Sequence, residues 1–208
     1  MGVAYPSKPT IIKIATFMFL RNLLSLLILF AWGTLATGAD LRGFRIHNAS
    51  TSLVNGVYQL RAHLELNLND EVLQALESGV PITLVLDMEV GRKRHYFLWN
   101  ESVASLEQRY RLEFHSLSEQ YRVINLNTDV RETYPELEHA LRAIGDLEDF
   151  PMLDRRLLNS RERYEVSLRI RLDIESLPSP LRVVAYVSPS WHLVSPWYFF
   201  PLLPNPAW

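Results

Sequence analysis

The chain of 208 residues contains no cysteine. Disulfides, thiol nucleophiles, cysteine-based zinc sites and the lipid-bearing cysteine of bacterial lipoproteins are thereby excluded. Glycine is scarce, at 8 residues, and none of it forms a clustered phosphate-cradling loop. There is no G-x-S-x-G elbow. The six histidines (His47, His63, His95, His115, His139 and His192) form no H-x-H or H-E-x-x-H pair, so ligand spacing on one element is missing. Acidic residues are absent before Asp40, a segment that carries Lys8, Lys13 and Arg21.

That segment holds a dense apolar run, Leu23–Gly33, behind Arg21-Asn22 and ahead of the small residues Thr34–Ala39. A basic n-region, a short apolar h-region and a small-residue end describe a secretory signal, with cleavage after Ala39 or Gly38. As a helix the run would span only about 16 Å, roughly half a hydrocarbon core. Extending it back to Ile11 places Lys13 and Arg21 inside the span. Residues 1–39 therefore read as a signal peptide or, uncleaved, an N-terminal anchor with the body outside the cytoplasm. Met18-Phe-Leu-Arg21-Asn22 is itself a compact n-region, which makes Met18 an alternative start to Met1. Either reading predicts a periplasmic body, or an inner-membrane protein with a periplasmic domain.

The formal net charge is -2, and it becomes more negative once the three basic residues of the leader are removed. An acidic body lacks the basic face that phosphate neutralisation needs, so nucleic acid is not an expected partner. A cysteine-free exported domain suits a bacterial periplasm better than a eukaryotic secretory route, which leaves the sequons at Asn48 and Asn100 without weight.

After Asp40 the dominant signal is period two. Tyr58, Leu60, Ala62, Leu64, Leu66 and Leu68 alternate with polar residues, as do Tyr164, Val166, Leu168, Ile170, Leu172 and Ile174. Such alternation buries one face of a strand and wets the other. Shorter versions predict strands at Phe44 and Ile46, Ile82–Val90, His95–Trp99, Leu106–Phe114, Tyr121–Leu126, and Leu181, Val183, Ala185 and Val187. Sequential hairpins imply antiparallel pairing. Two helices interrupt them. Asn69 can cap Asp70–Ser78, with Gly79 as its stop. Thr133-Tyr-Pro-Glu136 reads as a capping box ahead of Leu137, Ala140, Leu141 and Ile144, with Gly145 as the end. Asp146–Asn159 carries an ambiguous pattern and reads as a loop with a short helix around Leu153–Leu158.

The fold class is mainly β: a single antiparallel β-sandwich of about eight strands in residues 40–208, with two short amphipathic helices in connections. An outer-membrane barrel shares the alternation, but two amphipathic helices and Pro201, Pro204 and Pro206 argue against it.

Chemistry-bearing groups are sparse. His63 and Glu65 share a strand face and could touch a metal together; a solvated strand face is the plainer reading. Asp87 and Glu89 form an i, i+2 carboxylate pair of the kind acid–base hydrolysis uses, although Arg92 and Arg94 nearby favour cross-strand charge pairing. His115 with Ser116 or Ser118 lacks a base relay and reads as a serine-stabilised turn. No cofactor, metal or catalytic set is predicted. The segment 188–208 stands apart, with Trp191, Trp197 and Trp208 and five prolines. It is too apolar for an ordinary tail. Either Trp191, Leu193 and Trp197 complete the sandwich as an edge strand, or Tyr198–Trp208 docks on a partner or a membrane interface. The candidate partner-binding residues are Trp191, Trp197, Tyr198, Phe199, Phe200 and Trp208.

With Phe114-His-Ser-Leu-Ser-Glu-Gln-Tyr121 and Trp191-His-Leu-Val-Ser-Pro-Trp197 in hand, together with Gly79-Val80-Pro81 and Leu177–Leu181, the chain resembles an uncharacterised proteobacterial exported domain family. Phe114 stands where that pattern has tyrosine, a change consistent with a packing role. The resemblance implies export and a single domain. The genes of that family often neighbour a membrane sensor histidine kinase, which implies a periplasmic signalling accessory. The expectation is a noncatalytic envelope module that binds an envelope or inner-membrane protein; an envelope hydrolase and a small-ligand carrier are the alternatives.

Overall fold

The two most regular alternating segments become central strands of two antiparallel sheets. The computed structural model describes residues 43–92, 101–159 and 161–203. The leader, the predicted strand His95–Trp99 and Trp208 lie outside the described residues. Both sheets belong to one compact unit, Leu41–Trp208.

The smaller sheet has three strands in the order β1 (Gly43–Val54), β2 (Val57–Asn67), β7 (Asp146–Asp154). The larger has six, ordered β6 (Arg131–Tyr134), β5 (Gln120–Asn125), β4 (Glu101–His115), β3 (Ile82–Arg92), β8 (Tyr164–Leu172), β9 (Tyr198–Pro201). Neither sheet closes on itself, so the fold is β-sandwich-like and not a barrel. Leu60, Leu84, Leu86, Met88, Leu168 and Ile170, all with no exposed surface, belong to one core that draws on both sheets. Burying each such side chain contributes about 1.5–3 kcal/mol, the term that makes one-sided strands fold.

Helix α1 (Asp70–Glu77) follows expectation: the Asn69 side chain accepts from the Val72 amide at 3.0 Å, and Val72 and Leu76 are buried. Gly79, at φ 88°, lets the chain turn back so that the Val80 amide reaches the Ala75 carbonyl at 3.0 Å.

Helix α2 (Leu137–Gly145) also forms and ends at Gly145, but without the capping box. Thr133 is drawn into β6 opposite Arg122, and Glu136 takes the N-cap position without a side-chain cap bond. Strand pairing has claimed the residue that local capping would have used.

Three further expectations are corrected. Leu181, Val183, Ala185 and Val187 lie in helix α3 (Ser179–Val187), in which only Ala185 is buried. Pro180 in the first turn presets helical φ there, and the β8 edge that such a strand would need is occupied by Val194 and β9. Asp146–Asn159 is not a loop: β7 fills Asp146–Asp154, followed by a 3-10 turn at Arg155–Leu157. Ile174, read as the end of a strand, opens another 3-10 turn, Ile174–Ser176. The first strand is also longer than Phe44 and Ile46 alone suggest. Asn55 and Gly56, both at positive φ, close a two-residue hairpin that carries pairing out to Val54 and Val57.

Candidate docking face and polar clusters

Strand β8 organises the outer face of the large sheet. Period two sends Arg169 and Arg171 outward while Leu168, Ile170 and Leu172 go to the core. Asp87, opposite Arg169 on β3, receives Arg169 Nη2 at 2.8 Å and Arg171 Nε at 3.0 Å. Two guanidiniums thus occupy the carboxylate that would have had to act as acid or base. Glu89 faces Ser105 and Ser167 instead. His115 lies eight positions along β4 from Glu107, the residue opposite Asp87, a separation of about 27 Å along a strand. Its ring meets the Ser118 hydroxyl at 3.0 Å in an exposed turn, where its carbonyl accepts from the Ser118 amide at 3.2 Å. The geometry does not bring His115, Asp87 and Glu89 together, and the turn is the serine-stabilised one.

A second polar cluster occupies the outer face of the small sheet. The β1–β2 register shifts between Ile46 and Asn48, so His47 is a bulged residue swung beside His63, with ring centroids 5.5 Å apart. His47 Nε2 meets Glu65 at 2.6 Å, and His63 Nδ1 meets Asp146 at 2.5 Å. Hydrogen bonds from Asn67 and His47 hold the Glu65 carboxyl below the usual glutamate value. His63 and Glu65 therefore pair with different partners. Among the described residues no group of three His, Asp or Glu side chains is placed to hold a metal.

The C-terminal aromatics divide by position. Trp191 is 1% exposed, and its indole N–H donates to Glu71 at 2.6 Å, which ties it to α1. Leu193 and Ser195 run beside β8: the Leu172 amide reaches the Leu193 carbonyl at 2.8 Å, and Ser195 Oγ accepts from the Ile170 amide at 3.1 Å. β9 then pairs with β8 from Leu168–Tyr198 to Glu165–Pro201. Phe200 points inward and is buried, Tyr198 is half-buried, and Phe199 points outward with 59% of its surface exposed. Trp197 is half-buried and lies under Arg169, whose guanidinium carbon is 4.3 Å from the ring centroid. Of the six candidates, Trp191 and Phe200 belong to the core and Tyr198 packs against it, while Trp197, beneath Arg169, and Phe199 lie on the outer side of the large sheet, whose last strand among the described residues is β9. Trp191 sits in a 3-10 turn, Pro189–Trp191, and the edge beside β8 is taken by the Val194 bridge and β9, whose alternation turns Phe200 inward and Phe199 outward.

Sequence reasoning missed two surfaces. Helix α3 exposes Val183, Val184 and Val187, with Val187 81% exposed. The Pro178-Ser-Pro180 entry carried the signal for that helix. A cleft also opens between β2 and α2; no local pattern announces it. Among the described residues no helix is long and apolar enough to cross a membrane.

Residues 42–201 match the family model described as Domain of unknown function (DUF4390), and the chain belongs to that family. No curated protein and no solved structure matches it.

Proposed function

With that family membership as the premise, we propose that the protein is an exported envelope module, noncatalytic, that binds a protein partner at the β9 edge. The observation that carries the reading is Phe199: a large aromatic ring more than half exposed on an edge strand, beside Trp197 stacked on Arg169. An edge strand offers unpaired backbone groups for strand addition, and exposed aromatics supply anchors at the centre of an interface. Pro201 at the end of β9 blunts the edge against indiscriminate pairing. The acid–base alternative loses support because its carboxylate is held by Arg169 and Arg171. The leader supports export, and the resemblance to an exported family makes a membrane sensor kinase the first partner to test.

The experiment is site-specific photocrosslinking in cells from position 199, with position 165 on the paired strand as a control. A discrete crosslinked envelope protein, lost in Trp197→Ala, is the expected result. Uniform or absent crosslinks from position 199, with the domain folded, would overturn the reading. Point variants are needed because truncation after Pro196 would also remove the buried Phe200 and Leu202.

A further inference from the structure

The small sheet has an unfinished lane. β7 accompanies β2 only as far as His63, opposite Asp146. One residue earlier in β7's approach, at Gly145, the chain is already helical, and a Cβ there would lie 2.4 Å from the Leu64 carbonyl oxygen. Helix α2 and strand β2 therefore touch at Leu64 and part beyond it. Between Leu64–Leu68 and the helix residues Leu137 and Leu141 opens a cleft of about 540 Å³, within the size range of binding sites.

What lines the cleft specifies what fits it. The amide and carbonyl of a strand residue point to the same side in an antiparallel ladder and reverse at the next residue. The Leu64 carbonyl faces α2, so the Leu66 backbone faces that way too. Among the described residues no strand pairs with Leu66 on that side. Leu66 as a whole residue is 5% exposed, and it lines the cleft. Leu137 and Leu141, four apart on one helical face and half-buried, form the opposite wall. The charged lining is Glu65 and Glu138 against Arg142, and Arg142 is already bound to Glu138 at 2.5 Å. Glu65 meets His47 at 2.6 Å, accepts from Asn67 at 2.8 Å and has Arg45 at 3.9 Å, so the lining keeps two carboxylates against the single guanidinium of Arg142, with His63 at its rim.

We propose that this cleft is a strand-addition groove that takes an extended segment of another protein, alternating apolar and basic residues, as the continuation of β7's lane. Beyond Leu64 the lane runs to Leu68, about 13 Å, room for some four residues. Backbone hydrogen bonds to Leu66 hold the segment in register, its apolar side chains pack on Leu137 and Leu141, and its basic ones meet the acidic lining. The proposal deepens the interaction-module reading but uses a different edge from β9, so the two fail separately.

The test uses the full chain and a fluorescein-labelled peptide of about six residues in which lysine alternates with leucine or valine, read by anisotropy. Two controls accompany it: the same peptide N-methylated at alternate backbone nitrogens, and its lysine-to-glutamate counterpart. The proposal expects each control, and the variant Leu141→Arg, to weaken binding by about tenfold or more, which is a loss of about 1.4 kcal/mol or more. It also expects the Leu66 amide to exchange more slowly when the peptide is bound. Absence of binding up to about 1 mM, equal binding of the N-methylated peptide, or unchanged Leu66 exchange would each overturn it. Phe199→Ser should leave peptide affinity unaltered; a loss there would move the peptide to the β9 face, sink the groove and leave the module reading standing.

Discussion

Strands β2 and β8 carry nearly the same message, five apolar residues in phase alternating with polar ones, and meet different fates. β8 has β3 along its whole length on one side, and β9 with the Val194 bridge on the other. β2 has β1 along its whole length but β7 only as far as His63. The outer face of β8 is latticed by Asp87 bridging Arg169 and Arg171; that of β2 carries the two histidine–carboxylate pairs. Residue burial is alike in both, with Leu66 at 5% and Leu172 at 5% exposure. The difference lies in the backbone. A strand's pattern sets which face it buries, and the paths of its neighbours set whether its edges are closed.

The comparison is most severely tested by cutting into each core. Ile170→Ala, in the closed lane, should cost about 3–5 kcal/mol, and Leu66→Ala, beside the open one, about 2–3 kcal/mol, because the cleft lets its surroundings relax. Urea unfolding of both variants checks this; equal losses would say that the open lane is as rigid as the closed one. Gly145→Ala comes next. The added methyl presses on the Leu64 carbonyl, so helix or strand must shift, at about 1–3 kcal/mol. If that variant is as stable as the parent, the contact at the apex of the cleft is not tight.

A smaller effect separates the two backbones directly. The Leu66 amide should exchange faster than that of Ile170, although both residues are buried, because the Ile170 amide donates to the Ser195 hydroxyl while no strand among the described residues lies beside Leu66 on its second side. Phe199→Ser should change stability by no more than about 0.5 kcal/mol, since its ring contributes little to the core. A larger loss would make Phe199 a structural residue and weaken the docking reading.

The finest probe sits at the far end of β7. Asp154 accepts hydrogen bonds from the Arg156 side chain and amide, which depress its carboxyl from 3.8 to about 2. A depressed carboxyl favours the folded state above its ordinary value and loses that contribution as pH falls from near 4 through about 2. Carboxyl titration by NMR should find Asp154 in that low range and see it rise in Arg156→Ala. Both groups are exposed, so the stability change is small. An unaltered midpoint in the variant would dismiss the pairing.

Much of the fold was legible, for identifiable reasons. Asn69 and Gly79 bracket α1 through contacts within a few residues, β2 and β8 announce themselves by strict alternation, and β3 by a shorter version of it. Local signals failed where pairing partners came from far away. Thr133 has the chemistry of a cap, yet β5 took it as a strand residue. Asp146–Asp154 has little alternation and becomes β7 because the edge of β2 was available. Of the site, the aromatic composition of 188–208 was visible, but which rings face inward was not. Trp191 is held by Glu71, a partner 120 positions away.

By itself, then, the sequence determined the β-rich class, the inward faces of the main strands and the polar outer surface, since each rests on composition or on a period of two along one segment. Tertiary structure decided that Leu181, Val183, Ala185 and Val187 wind into α3, that β9 takes the place beside β8, that Phe199 faces out and Phe200 in, and that the lane beside Leu66 stays open. Those outcomes depend on which edges other segments have already filled, and competition for an edge is a property of the whole chain.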